Sequence, residues 1–100
     1  SQFAKFPEKR GEDRMYKAAV KFASVEDAKA FSGICNDVDF KVELIADPYV
    51  IDAKSLMGLF SLDFSQPIAL RAYCPDDGSA FVEKIRPYLA AGEAGAAVQN

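Results

Sequence analysis

The chain contains no histidine. No imidazole is therefore available as general base, nucleophile or phosphoacceptor. The usual zinc sites, which combine histidine with cysteine, are excluded with it. Cysteine is nearly absent too. Only Cys35 and Cys74 occur, with no C-x-x-C spacing, so no four-cysteine metal site can be built. Both are expected to be free and buried, as thiols of a cytoplasmic protein are, rather than joined in a disulfide. No apolar run approaches the length of a membrane span, and no secretory signal pattern is visible. No glycine-rich phosphate loop and no internal repeat occur. Positive charge is in deficit: 12 Lys and Arg face 15 Asp and Glu, for a formal charge of -3 and a pI near 4.8. With no basic stripe, neither nucleic acid nor a membrane is expected as a partner.

What is present is a globular composition. The 100 residues are 50% hydrophobic, a length that suits one domain burying roughly 60–65% of its unfolded surface. Residues 1–14 read as an N-terminal extension or linker. Phe3 and Phe6 come first, and Pro7 to Arg14 is almost all charge. Residues 15–91 read as the domain, and the small, glycine-bearing residues 92–100 as a tail.

Within the domain, periods of two and of 3.6 alternate. Tyr16, Ala18, Val20 and Phe22 fall on one face of a strand. Ser24 opens S-V-E-D, a capping-box pattern. The helix after it carries Val25, Ala28, Phe31, Ile34 and Cys35 at helical spacing and closes near Gly33 and Asn36. Val38, Phe40, Val42 and Leu44 point inward from a second strand. Ala46-Asp47-Pro48 is a turn, and Tyr49 to Ile51 returns as a third strand. Ile68, Leu70 and Ala72 mark a fourth. Cys74-Pro75-Asp76-Asp77 offers a cap for a last helix with Ala80, Phe81, Ile85 and Leu89. Pro87 must kink that helix or break it. Four alternating strands with one polar face predict an α+β fold, an antiparallel sheet with helices on the other face.

The segment Val50 to Leu62 stands apart. Its strand passes through Asp52-Ala53-Lys54 to Ser55, a good helix cap. Leu56, Met57, Leu59 and Phe60 then crowd around Gly58. This run is too apolar for a loop and too short for an amphipathic helix. Part of it must enter the core, and the remainder is left for a partner.

That order of elements, with D-A-K-S-L-M-G-L-F-S-L after the hairpin, resembles the HPr family, the phosphocarrier proteins of the bacterial sugar phosphotransferase system. The likeness extends from about Tyr16 to Leu89 and is most specific at Lys54-Ser55-Leu56-Met57-Gly58, with P-D-D-G-S-A resembling the family's entry to its last helix. It implies an open-faced β-sandwich, a four-stranded antiparallel sheet in order 1-4-2-3 with three helices on one face. The family's phosphoacceptor histidine opens its first helix in G-x-H-x-R-P. Here Ser24 holds that degenerate phosphoacceptor position, Phe22 replaces the glycine, and Glu26 and Asp27 replace arginine and proline. Two carboxylates in a first helical turn repel a dianion, and a serine phosphoester is a poor phosphoryl donor. Ser24 is therefore read as a cap.

The second family motif is retained. Ser55 occupies the position that Gram-positive members present to an ATP-dependent serine kinase, and the phosphorylated form there binds a transcriptional regulator. The resemblance thus implies regulatory phosphorylation at Ser55, with Leu56, Met57 and Phe60 as partner-docking residues. The competing reading makes Ser55 a plain cap and the apolar run plain core. Asp63, in place of a family glycine, and a shortened loop alter the surface beside the patch. The expectation is a cytoplasmic, non-catalytic regulatory or protein-binding domain with no cofactor. The alternatives are a phosphocarrier with a substitute acceptor and a scaffold of unrelated role. The acids Glu26-Asp27, Asp37, Asp39 and Asp76-Asp77 sit at turns and helix starts, where caps and dipoles favour them, and build no catalytic pair.

Overall fold

The computed structural model describes residues 15–75 and 77–90. The 1–14 extension, Asp76 and the 92–100 tail lie outside the described residues. Four strands, β1 (Met15–Val20), β2 (Val42–Ala46), β3 (Tyr49–Asp52) and β4 (Ile68–Tyr73), form one antiparallel sheet in the order β1-β4-β2-β3. The helices are α1 (Val25–Asn36), α2 (Leu56–Leu59) and α3 (Ser79–Ile85), the last followed by a 3-10 turn, Arg86–Tyr88. This is the α+β architecture that the alternation predicts, and its strand order is the one the resemblance implies.

Register explains the two faces. Along β1 and β4, Tyr16 opposes Ala72, Ala18 opposes Leu70, and Val20 opposes Ile68. With Val42 and Leu44 they form the inner face. Ala28, Phe31 and Cys35 from α1, Leu59 from α2, and Phe81, Val82 and Ile85 from α3 close over it as one cluster. The intervening residues face outward: Lys17 beside Arg71, Arg71 beside Glu43, Glu43 beside Asp52. A period of two places one set against the helices and the other in solvent.

Several local expectations are corrected. The second strand is shorter than its pattern. Residues 37–40 form a turn and bend, and Val38 and Phe40 reach the core from there, Phe40 edge-on to Phe81 at 5.4 Å. Phe22 lies beyond the end of β1 yet is only 1% exposed. Val25, spaced like a core residue, is half exposed at the first position of α1. Ser32 is buried instead. Ala80 is also exposed. The cap of α3 is Gly78, whose φ of 72° is left-handed and suits glycine. Asp77 Oδ1 accepts from Ser79 N at 3.0 Å, so the expected acid does serve this end. Pro87 breaks the helix: α3 stops at Ile85, and Pro87 sits in the first positions of the 3-10 turn, where its missing N–H is not needed. Leu89 lies past that turn, bridging Val20.

On the open face, Glu43 gathers its neighbours. Its Oε1 accepts from Arg71 Nη2 at 2.9 Å, Arg71 Nε at 3.1 Å and Tyr73 OH at 2.9 Å, and Lys41 Nζ stands 3.7 Å from Oε2. Desolvation raises the carboxyl pKa, but these bonds and the charges of Arg71 and Lys41 outweigh it, and the net direction is down. A lowered folded value means stability that is complete above the ordinary value of 4.5 and lost as pH falls below it through the folded value. Glu43→Gln is expected to cost about 1 kcal/mol at neutral pH. The difference from wild type should shrink as the pH falls through that range, as followed by urea unfolding at a series of pH values.

Candidate functional site

Ser55 and the run after it form a projecting corner between β3 and the loop to β4. The corner is built from below. Ser55 N donates to Asp52 O at 2.9 Å, and Lys54 N to Asp52 Oδ1 at 2.9 Å, which turns the chain out of β3. Ala53, at the centre of that turn, is fully buried. Lys54 is fastened at both ends. Its carbonyl accepts from Asn36 Nδ2 at 3.0 Å, and its ammonium donates to Val38 O at 2.8 Å. The C-terminal end of α1 therefore holds the entry to α2.

Ser55 has extended backbone, and its Oγ accepts from Gly58 N at 3.2 Å, as a helix cap should. Leu59 is the residue of α2 that enters the core. Leu56 is 36% exposed, Phe60 45% and Met57 83%. One apolar residue goes in and three stay out, because α2 offers a single turn and cannot bury residues on all sides. Gly58 permits the close approach. A Cβ there would stand 2.7 Å from Ile51 Cγ2 on β3.

Ser24 sits at the other end of the domain. Asn36, at the far end of α1, touches Lys54, and twelve residues of helix separate it from Ser24, roughly 18 Å. The two candidate serines are not brought together. Ser24 Oγ accepts from Asp27 N at 3.2 Å, and Asp27 Oδ2 accepts from Ala23 N at 2.9 Å. This is a capping box whose return bond reaches one residue further back than usual. A carboxylate of the first turn is thus tied to the amide just before the cap, and the cap oxygen takes a helix amide. Beneath it Phe22 packs on Phe31, Phe64 and Tyr88 with ring centroids 5.1, 5.5 and 6.4 Å away.

The thiols join neither site. Cys35 and Cys74 are not joined in a disulfide and are fully buried. Burial pushes the Cys35 thiol up to about 12, against a smaller lowering by Lys54, so it stays protonated at neutral pH. Among the described residues no group of three Cys, Asp or Glu side chains could hold a metal ion, and no helix is long and apolar enough to cross a membrane.

Two exposed residues escaped the sequence reading. Tyr49 is 67% exposed and Val50 52%. Both lie on β3, which borders a groove of about 330 Å³ lined by Ala46, Tyr49, Ile51, Ser61, Leu62 and Asp63. Their apolar character resembles that of any sheet strand. Only the strand order, which leaves β3 at an edge, exposes them. No family model, no curated protein and no solved structure matches this chain, so the corner and the groove are known from the chain's own geometry.

Proposed function

We propose that this is a cytoplasmic, non-catalytic, HPr-like regulatory domain that binds a protein partner through Leu56, Met57 and Phe60 and is regulated by phosphorylation at Ser55. The observation that carries the reading is the pairing of an exposed cap serine with a methionine left 83% exposed two residues later. A flexible thioether in the open is suited to an adaptable apolar contact. A phosphoryl group on Ser55 would add up to two negative charges at the start of α2, where backbone amides already point at the serine oxygen. The charge would change the docking patch without entering the core.

The same geometry speaks against phosphoryl carriage at Ser24. Its hydroxyl already accepts from the helix, and the carboxylates of Glu26 and Asp27 in that first turn repel an added dianion.

The test is incubation with ATP and the serine kinase of a bacterial phosphotransferase system, followed by mass-spectrometric mapping. Incorporation of one phosphate, abolished in Ser55→Ala, is the expected result. Absence of label at Ser55 with an active kinase would sink the regulatory reading. A parallel incubation with phosphoenolpyruvate and the system's first enzyme should leave Ser24 unlabelled, and a stable adduct there would restore the carrier reading.

A further inference from the structure

The sheet has two edges, β1 and β3. The first is partly covered by the chain's own return. Lys21 N donates to Tyr88 O and Ala90 N to Ala19 O, each at 2.8 Å, with Val20 bridging Leu89 between them. Nothing among the described residues pairs with the outer side of β3.

The register shows which backbone groups β3 presents. Bonded and non-bonded pairs alternate along an antiparallel ladder. Ala53 N donates to Val42 O at 2.9 Å, so the bonded pairs further along are Leu44 with Ile51 and Ala46 with Tyr49. The backbone groups of Val50 and Asp52 therefore point away from β2. Asp52 O is taken by Ser55 N. This leaves the N–H and C=O of Val50 and the N–H of Asp52 facing outward.

Side chains flank this edge on the helix side of the sheet. Tyr49 and Ile51 point there, into the groove walled by Leu62, Ser61 and Asp63. A strand laid beside β3 would place alternate side chains into that groove.

Three carboxylates stand along it. Asp47 sits at the turn before β3, Asp52 at its end and Asp63 on the opposite wall. Asp63 binds Ser65 through Oδ1 alone, and Lys21 attracts it more weakly than those bonds do. The ammonium of Lys54 is spent on Val38 O. A second copy of the chain would bring the same acids face to face.

We infer that the β3 edge accepts an extended peptide as a fifth strand, with an apolar side chain in the groove and basic side chains beside Asp47, Asp52 and Asp63. The inference does not rest on Ser55. This surface lies on the strand and the wall opposite it, not on the cap.

The probe is a capped peptide of sequence Arg-Leu-Arg-Leu-Arg-Leu-Arg, titrated into the nitrogen-15-labelled chain, with a Glu-Leu peptide of the same length as comparison. Saturable shifts and slowed exchange at the Val50 and Asp52 amides are expected for the basic peptide. Val50→Pro removes an outward N–H that β2 does not use, and should weaken binding about tenfold, the value of roughly one hydrogen bond. Asp63→Lys, on an exposed loop, should narrow or reverse the preference for the basic peptide. Ser55→Ala should bind as wild type, which separates failure here from failure of the phosphorylation reading. Equal binding by Val50→Pro, equal binding of the Glu-Leu peptide, or shifts confined to Met57 and Phe60 would overturn the assignment. Concentration-dependent self-association lost in Val50→Pro would also overturn it and give the edge to a second copy.

Discussion

Replacing Phe22 by alanine is expected to remove about 3–5 kcal/mol of folding stability. A domain of this size holds about 5–15 kcal/mol in all, so the variant should lose a large share of its stability. The reason is position. Phe22 is 1% exposed and lies where four pieces of chain meet: the end of β1, α1 through Phe31, the loop before β4 through Phe64, and the 3-10 turn through Tyr88. Removing the ring leaves a cavity that these elements cannot close without shifting together. Tilted and edge-on ring pairs add roughly 0.5–1.5 kcal/mol each beyond area, and among the described residues Phe31 would keep Tyr88 as its ring partner, at 5.9 Å. Urea unfolding followed by circular dichroism checks the value. A loss under about 1 kcal/mol would show that the cluster repacks. Val25→Ala is the matched control, because that side chain is half exposed and its loss should stay within about 0.5 kcal/mol.

Gly58→Ala should destabilise the domain by up to about 2 kcal/mol, although alanine is the better helix former. Two effects oppose each other. Helix propensity favours alanine over glycine by about 1 kcal/mol. Overpacking costs about 1–3 kcal/mol, and the new Cβ would stand 2.7 Å from Ile51 Cγ2. That methyl branches directly from Cβ of a strand residue and cannot swing aside as a long side chain would. The clash is therefore relieved by moving α2 away from β3, which carries Ser55, Met57 and Phe60 with it. Ile51→Ala removes the obstructing methyl. The double variant should lose less than the sum of the two single losses, by about 1 kcal/mol in a double-mutant cycle. Additive losses would show that Gly58 and Ile51 do not oppose each other across this contact. Gly33→Ala calibrates the propensity effect, since a Cβ there meets nothing within 4 Å.

The sheet was the most legible part of the chain, and the reason is local. Tyr16, Ala18 and Val20, or Ile68, Leu70 and Ala72, alternate because each strand has one wet face, and that constraint is written into consecutive residues. The caps were legible on the same terms. Ser24 and Ser55 each accept from an amide three residues on, a bond that needs no distant partner. The break at Pro87 follows from the missing N–H of a single residue.

Other features depend on what lies across the fold. Val25 has the spacing of a core residue and is half exposed at the first position of α1. Phe22 continues the alternation of β1 but is buried among rings from three other segments. Val38 and Phe40 alternate as strand residues do, yet Tyr73 N reaches Lys41 O at 2.9 Å and the ladder begins only there. Lys54 precedes a candidate phosphoserine in sequence, but its ammonium is anchored on Val38 O.

By itself, then, the amino-acid order determined the period of β1 and β4, the caps at Ser24 and Ser55, the proline break and the exclusion of imidazole chemistry. Each of these is a property of neighbouring residues. The tertiary structure alone decided which apolar residues remain in solvent, because that depends on which strand lies at an edge and which helix is too short to cover it. Tyr49 and Ile51 share one face of the same strand. One is 67% exposed and the other packs against the core, and the difference is how far α2 reaches.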